Sequence, residues 1–217
     1  ALLESASAQG YGAATERLAV FHAMAAGGTG GPQAWDQAFD ALAAAAEQGS
    51  RLAAKQLLLL TNPAGAPDPQ PTVGSGFWRE LRSRISLEQL VQSPARKTVR
   101  DAPRIRAIEG FASPAECLWM IDAARAHLAR ATIFDRENGR LVEDPARSNS
   151  TAVLMFGEMD VVTEILRTRI AAATGVPVPA FEPSQILRYQ VGQEFVAHHD
   201  FLDAAKPGFR AELAGQG

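Results

Sequence analysis

Three residues late in the sequence, His198, His199 and Asp200, have side chains that can bind a metal ion. Side chains alternate between the two faces of an extended strand, so His198 and Asp200 would project from one face and His199 from the other. An imidazole nitrogen beside a carboxylate oxygen supplies two of the three ligands in the 2-His-1-carboxylate site of non-haem Fe(II) oxygenases. The spacing therefore predicts an iron site and oxygenase chemistry.

The preceding residues predict a strand pair that would position these ligands. An apolar run containing Tyr189 leads to a turn at Gly192 and Gln193, and a second short apolar run covers residues 195–197. A bare His-x-Asp pair also arises by chance, and the alternative interpretation is an ordinary polar cluster at the rim of a hairpin. The order of the parts favours the metal site.

A resemblance to a known family runs through the same residues. The prolyl 4-hydroxylase group of Fe(II)- and 2-oxoglutarate-dependent dioxygenases carries a Tyr-x-x-Gly-Gln-x-Tyr-x-x-His-x-Asp string. That string is similar to Tyr189-x-x-Gly192-Gln193-x-Phe195-x-x-His198-x-Asp200 here. The resemblance covers roughly residues 104–217. It implies that His198 and Asp200 bind iron and that Tyr189 hydrogen-bonds 2-oxoglutarate. The implied cofactors are Fe(II), 2-oxoglutarate and O₂, with ascorbate as a further candidate.

The resemblance also implies substrate-binding residues and a substrate. The segment containing Arg147 and Asn149 resembles an Arg-Thr-Ser sequence that lines the family's peptide groove, and Glu182 matches an acidic groove position. Phe195 stands where the family usually has Tyr, so a hydroxyl expected to contact substrate is absent. The expected substrate is a peptide or protein segment, with proline as the hydroxylated residue, because proline-rich segments are already extended. Succinate and CO₂ would be released.

The third iron ligand has no candidate in this pattern. In the family, a second His and a basic anchor for the distal carboxylate of 2-oxoglutarate lie some tens of residues after the His-x-Asp pair. No His follows Asp200, and His22 and His127 lie in helical patterns, where a lone His is more often packed or solvent-facing. We therefore expect that the oxygenase domain is incomplete at its carboxyl end and that the 217-residue polypeptide alone is inactive.

Composition limits the class of protein. The 217 residues are 47% hydrophobic, enough for one sizeable core or two small ones. A net charge of −3 argues against general affinity for nucleic acid or anionic membranes. The sequence shows no membrane-spanning run and no signal-peptide pattern, so we expect a cytoplasmic location. The single cysteine, Cys117, excludes an internal disulfide framework and is predicted to be a small buried residue.

Residues 1–60 have a different pattern, rich in Ala and Leu. Gln9-Gly10 recurs as Gln48-Gly49, 39 residues later, followed each time by an Ala and a Leu at matching positions. Such an offset is typical of stacked helical hairpins and resembles Sel1-like repeats, which would offer a surface for a protein partner. Residues 27–32, Gly-Gly-Thr-Gly-Gly-Pro, are predicted to be the loop between hairpins.

The rest of the chain predicts an α+β protein. A Pro-rich linker covers residues 61–76, a connecting helix and linker cover 77–103, and the oxygenase domain covers 104–217. Within that domain, Ser113 and Glu116 form a capping box at a helix start, and the apolar residues Leu118, Ile121, Ala124 and Leu128 are expected to pack this helix on the outside of a sheet. A second helix is predicted over 158–173. Strands are predicted near 104–109, 131–135, 150–156 and 184–191. Helices flanking these strands predict a jelly-roll, or double-stranded β-helix, core.

Two other functions stay open from the sequence. One is a non-catalytic interaction scaffold, in which the helical repeats bind a partner and the oxygenase domain is incomplete. The other keeps the jelly roll but binds Zn(II) or another divalent ion, since imidazole and carboxylate suit several metals. Aerobic turnover of 2-oxoglutarate to succinate would distinguish the oxygenase from both.

Overall fold

A computed structural model describes residues 1–62, 76–135 and 140–198. These residues combine helices and strands, which confirms the mixed α and β class, while the Sel1-like repeats and the jelly roll remain predictions. The helices are α1 (Leu2–Ala8), α2 (Gly12–Ala25), α3 (Gly31–Glu47), α4 (Arg51–Thr61), α5 (Phe77–Ser83), α6 (Leu87–Val91), α7 (Pro114–Arg125) and α8 (Val161–Thr174). The strands are β1 (Lys97–Arg100), β2 (Ile105–Ala107), β3 (Ala129–Arg130), β4 (Ile133–Asp135), β5 (Arg140–Val142), β6 (Ser150–Val153) and β7 (Gln185–Arg188).

The chain divides into two compact units. The first contains residues 1–123 and 154–184, and the second contains residues 124–153 and 185–217. Most of the predicted linker, residues 63–75, lies outside the described part of the chain. The domain boundaries drawn from the sequence remain predictions.

The 39-residue offset corresponds to two similar helix–turn–helix segments. α1 ends just before Gln9-Gly10 and α3 ends just before Gln48-Gly49, and both glycines adopt left-handed backbone angles, with φ of 86° and 89°. Glycine is the residue that reaches this conformation at no steric cost, which is why each helix ends there. The helix ends predicted from the Gln-Gly repeat are thus confirmed.

The predicted glycine loop between the hairpins is wrong in its conformation. Residues Ala26–Gly30 form a single π-helical turn that continues directly from α2, and α3 begins at Gly31. The break between the helices is confined to Gly31, where φ is 59°. Glycines disfavour a helix but do not forbid one turn of it when the flanking helices pack against each other, as α2 and α3 do.

The core of the first unit lies between α2, α3, α4 and α8, where Leu42, Leu57 and Ile165 are completely buried. α8 ends where the sequence predicts, but it starts at Val161, three residues later than predicted. The Asp160 side chain caps its first turn by accepting a hydrogen bond from the Thr163 amide at 2.7 Å, and the left-handed Gly175 ends it.

Side chains from α2 and α4 hold the segment that leads into α8. Gln56 on α4 is fully buried, and its Oε1 accepts a hydrogen bond of 2.8 Å from the Val161 amide. Arg17 on α2 donates to the carbonyls of Phe156 and Gly157, at 3.4 and 3.2 Å. The amino-terminal helices therefore belong to the same packed unit as α8.

Gln56→Met is expected to lower the free energy of unfolding by about 1–3 kcal/mol, because the buried backbone amide of Val161 loses its hydrogen-bond acceptor. Methionine has a similar length but cannot replace the amide oxygen that the Val161 amide needs. Lys55→Met is the matched control, because Lys55 is exposed on the same helix and its replacement should change stability by less than about 0.5 kcal/mol. Urea unfolding measures both, and equal losses would contradict the role of Gln56.

α7 begins as predicted but presents a different face. Ser113 and Glu116 form the reciprocal capping box, with bonds of 2.8 and 3.2 Å. The expected apolar face is wrong, since Leu118 and Ile121 are 62% and 51% exposed and Cys117 is also exposed. The packed face is instead fixed by polar contacts of Glu116 and of Trp119, whose indole N–H donates to Asp160 at 2.7 Å.

The strands form small antiparallel sheets. β1 pairs with β2, β4 pairs with β5, and β3, β6 and β7 form a three-stranded sheet with β6 in the centre. The predicted strand near 131–135 corresponds to β4, and residues 131 and 132 separate it from β3. Among the described residues, no helix is long and apolar enough to cross a membrane.

Candidate active site

The candidate site lies in the second unit, on the segment that contains β6. β7 runs antiparallel to β6, with Ser150 opposite Arg188 and Val153 opposite Gln185. Further along, the chain returns to the same partner segment, where Arg147 pairs with Phe195 through an isolated bridge. β7 and the residues before His198 are therefore both aligned by residues 146–153.

This pairing corrects the predicted hairpin. The turn at Gly192, with φ of 85°, does not fold residues 195–197 back onto β7. The turn lies in a loop between β7 and Phe195, which both pair with residues 147–153. After this loop, the Ser148 amide donates to the Glu194 carbonyl at 2.8 Å. The Val196 amide likewise donates to the Ala146 carbonyl at 2.9 Å. A local turn signal cannot reveal this, because the strand partner is distant in sequence.

His198 has a geometry that suits a metal ligand. Its Nδ1 lies 2.7 Å from the carbonyl oxygen of Val196. A carbonyl can only accept a hydrogen bond, so Nδ1 carries the proton in this contact, and the lone pair of the neutral imidazole lies on Nε2. Metal-binding histidines commonly donate a hydrogen bond from their second ring N–H to a carbonyl or carboxylate in this manner, which fixes the tautomer and the ring orientation.

Phe195 connects His198 to Arg147. The rings of Phe195 and His198 are stacked, with centroids 3.6 Å apart and an interplanar angle of 22°. The Arg147 guanidinium carbon lies 5.0 Å from the Phe195 ring centre, and its Nη1 donates to the Thr132 carbonyl at 3.3 Å. Three of the predicted site residues are thus brought together, and Phe195 contacts both a cation and the imidazole.

A row of buried polar atoms lies beside this stack, along the segment that leads into β6. Alternate residues Arg147, Asn149 and Thr151 each have one buried polar atom without a hydrogen-bond partner among the described residues: Nε, Oδ1 and Oγ1, respectively. Buried polar atoms are rarely left unpaired, so such a row is a candidate for ligand contact. Thr151 was missed by sequence reasoning, although its i, i+2 spacing after Arg147 and Asn149 could have indicated it.

Asn149 differs from the prediction in its accessibility. It is completely buried, and its Nδ2 donates to the Ser150 carbonyl at 3.0 Å. Because its unpaired Oδ1 is buried as well, no polar atom of the Asn149 side chain is open to a peptide in the described structure. Its part in substrate binding remains a prediction.

The remaining site residues are not brought to this stack by the described structure. Tyr189 is 45% exposed at the end of β7. Glu182 is exposed and belongs to the first unit. Asp200 and His199 lie outside the described residues, so the predicted common face of His198 and Asp200 remains untested. Within the described ranges, no group of three or more His, Cys, Asp or Glu side chains could hold a metal ion.

Comparisons with known proteins identify similarity to prolyl 4-hydroxylases. The chain is 30% identical over 100 residues to probable prolyl 4-hydroxylase 10 of Arabidopsis thaliana, which covers 46% of the chain and 34% of that protein. It is 34% identical over 102 residues to prolyl 4-hydroxylase 5 of the same plant, covering 46% of the chain and 35% of that protein. With prolyl 4-hydroxylase subunit alpha-1 of Rattus norvegicus the identity is 35% over 113 residues, covering 52% of the chain and 21% of that protein.

About half of the chain is therefore similar to prolyl 4-hydroxylases, and the chain spans between about a fifth and about a third of the length of these relatives. No family model matches the chain. No solved structure matches it.

Proposed function

We propose that this chain is part of an Fe(II)- and 2-oxoglutarate-dependent dioxygenase that hydroxylates proline in a peptide or protein. The similarity to prolyl 4-hydroxylases over about half the chain carries the proposal. The hydrogen bond from His198 Nδ1 to Val196 supports it, because this bond leaves Nε2 as the nitrogen suited to bind iron.

The residues divide into three roles under this proposal. His198 and Asp200 bind Fe(II), and Tyr189 orients 2-oxoglutarate. Arg147 and Phe195 form the wall of the peptide groove beside His198. Glu182 and Asn149 would also bind the peptide substrate. Ascorbate is a candidate additional cofactor.

Iron held by His198 and Asp200 would supply, with 2-oxoglutarate and O₂, the oxidant for hydroxylating a C–H bond, with succinate and CO₂ as the other products. The protein's own residues supply position and surroundings. The Val196 carbonyl holds the imidazole of His198, and the Phe195 ring stacks on that imidazole, which fixes the plane of the His198 ring.

The choice of substrate class is tested by offering proline-containing peptides and single-stranded nucleic acid to the full-length protein with Fe(II), 2-oxoglutarate and ascorbate. We expect a mass gain of about 16 Da, one oxygen atom, on the peptides alone. Matched peptides with alanine in place of proline are the control and should gain no mass. Oxidation of only the nucleic acid would contradict the proposal.

A non-catalytic scaffold remains the competing function, with the amino-terminal helices as its partner-binding surface. It predicts no succinate formation with any substrate. The packing of Arg17 and Gln56 against the start of α8 favours an architectural role for those helices, because both side chains are committed to contacts within the unit.

A further inference from the structure

Arg167 on α8 holds the segment that carries Glu182. Its Nη1 donates to the Glu182 carbonyl at 3.3 Å and to the Ser184 hydroxyl at 3.0 Å. The guanidinium carbon lies 5.6 Å from the centre of the Phe181 ring. The Arg167 side chain is only 16% exposed, and all of these contacts lie within the first unit.

The segment has few other restraints. Residues 181–184 contain no helix or strand and lie between a short 3₁₀ turn, Val178–Ala180, and β7. Pro183 lacks an amide hydrogen and restricts the backbone of Glu182 before it. Two backbone hydrogen bonds also hold the segment: the Leu154 amide donates to the Ser184 carbonyl at 2.8 Å, and the Phe181 amide donates to the Val178 carbonyl at 3.0 Å.

The guanidinium of Arg167 is itself anchored. Its Nε lies 3.5 Å from Oε1 of Glu164, whose side chain is 2% exposed. This contact is an ion pair and not a hydrogen bond, because its geometry is unfavourable for one. Nε therefore has no hydrogen-bond partner among the described residues. The Arg167 side chain therefore contacts both the buried Glu164 carboxylate on α8 and the Glu182 carbonyl of the segment.

The Glu182 carboxylate is in the opposite situation. The residue is exposed, and no described residue pairs with its side chain. A carboxylate on a fixed backbone loses less conformational entropy when a ligand binds than one on a free segment. Glu182 thus combines a restrained main chain with a carboxylate that is available to a ligand.

We propose that Arg167 is a positioning residue that fixes the backbone at Glu182, so that this carboxylate is pre-organised to bind the peptide substrate. The inference rests on the proposed function, because it needs Glu182 to contact the peptide. Arg167 touches neither substrate nor cofactor and acts through Glu182.

Arg167→Lys tests this most cleanly. Lysine keeps the positive charge beside Glu164, but its single nitrogen cannot span Glu164 and the Glu182 and Ser184 oxygens together. In the full-length protein we expect the KM for a proline peptide to rise about 5-fold, the equivalent of one lost hydrogen bond. The kcat and the KM for 2-oxoglutarate should stay within about 2-fold. Peptide affinity by fluorescence anisotropy should weaken by the same factor.

Two further variants make the test specific. In a Glu182→Gln background, Arg167→Lys should add little, because the two residues act in series. Arg51→Lys, an exposed arginine on α4, is the matched control and should leave every constant unchanged.

The outcomes separate the inference from the function on which it rests. If the wild-type protein neither binds nor oxidises peptide, the proposed function fails and this inference fails with it. If the wild type oxidises peptide but Arg167→Lys leaves its KM unchanged, the inference alone is overturned. An equal fall in kcat, or effects of Arg167→Lys and Glu182→Gln that add fully, would show a merely structural role.

Discussion

His198→Ala is expected to lower iron-dependent succinate formation by the full-length protein at least about 100-fold, the upper end of the losses seen when even an outer partner of a metal ligand is removed. The imidazole is held by Val196 and Phe195 with Nε2 as the lone-pair nitrogen, and alanine offers no ligand in its place. Succinate release with and without added Fe(II) measures the effect. Activity equal to that of wild type would remove His198 from the site.

His127→Ala is the matched control for that variant. His127 is exposed in the turn after α7 and has no assigned role in the site. Its replacement should leave succinate formation within about 2-fold of wild type. A loss equal to that of His198→Ala would show that histidine removal acts through stability, which unfolding curves on both variants would then reveal.

Glu116→Ala is expected to lower the free energy of unfolding by about 3–5 kcal/mol, because it leaves a buried arginine without its counter-charge. Arg169 and Glu116 are 7% and 4% exposed and form two hydrogen bonds of 2.8 and 3.1 Å. Arg169 also donates to the carbonyls of Leu90 and Phe111, so the pair ties α6, α7 and α8 together. The same substitution removes one half of the capping box with Ser113.

Urea unfolding measures this loss, with Glu88→Ala as the control. Glu88 is an exposed acid on α6, and its replacement should cost about 0.5 kcal/mol or less. Glu116→Gln keeps the shape and one acceptor, so it should fall between the two. A Glu116→Ala loss no larger than that of the control would show that the buried pair contributes little.

The same pair predicts a pH dependence. Burial alone would raise the pKa of Glu116, but hydrogen bonds from Arg169 and Ser113 outweigh it and hold the pKa below its usual value. Because the pKa of Glu116 is lower in the folded state, its ionised form adds stability at pH values above the ordinary glutamate pKa of about 4.3. This stability is lost as the pH falls through the lowered pKa of the folded state. Wild type should therefore lose its advantage over Glu116→Gln as the pH falls from neutral to about 3.

Two other buried acids act in the opposite direction. Burial raises the pKa of Asp160 and of Glu164, so both favour the folded state more at low pH than at neutral pH. Both are present in wild type and in Glu116→Gln. The difference between the two proteins, measured by urea unfolding at several pH values, thus isolates Glu116. A difference that grows on acidification would contradict the assignment.

Local signals predicted the features that depend on neighbouring residues. The capping box of Ser113 and Glu116 and the glycine ends at Gly10 and Gly49 are set within a few residues, so the sequence around each is sufficient. The end of α8 at the left-handed Gly175 has the same origin. These predictions held because capping chemistry and backbone conformation are local.

Features that depend on distant partners were not predictable in this way. The Gly192 turn resembles a hairpin signal, yet Phe195 pairs with Arg147, and only the folded chain defines that partner. The apolar spacing of Leu118 and Ile121 suggested a buried face, but the packing of α7 is determined by the partners of Glu116 on another helix.

The candidate site shows the same division. The string around His198 predicted its role as a ligand from residue types alone, and the Val196 contact that fixes its tautomer required coordinates. Thr151 entered the site only through its buried, unpaired hydroxyl. The role of Arg167 depends on a contact with the Glu182 carbonyl, 15 residues away, that no side-chain pattern encodes.

The most direct measurement is the ratio of succinate formed to oxygen added to a proline-containing peptide by the full-length protein. We expect succinate formation to require Fe(II), 2-oxoglutarate and O₂ together, and to match the hydroxylated peptide at a ratio of about one to one. Each peptide product should be heavier by about 16 Da, one oxygen atom. Absence of succinate and of oxidised peptide under these conditions would contradict the account.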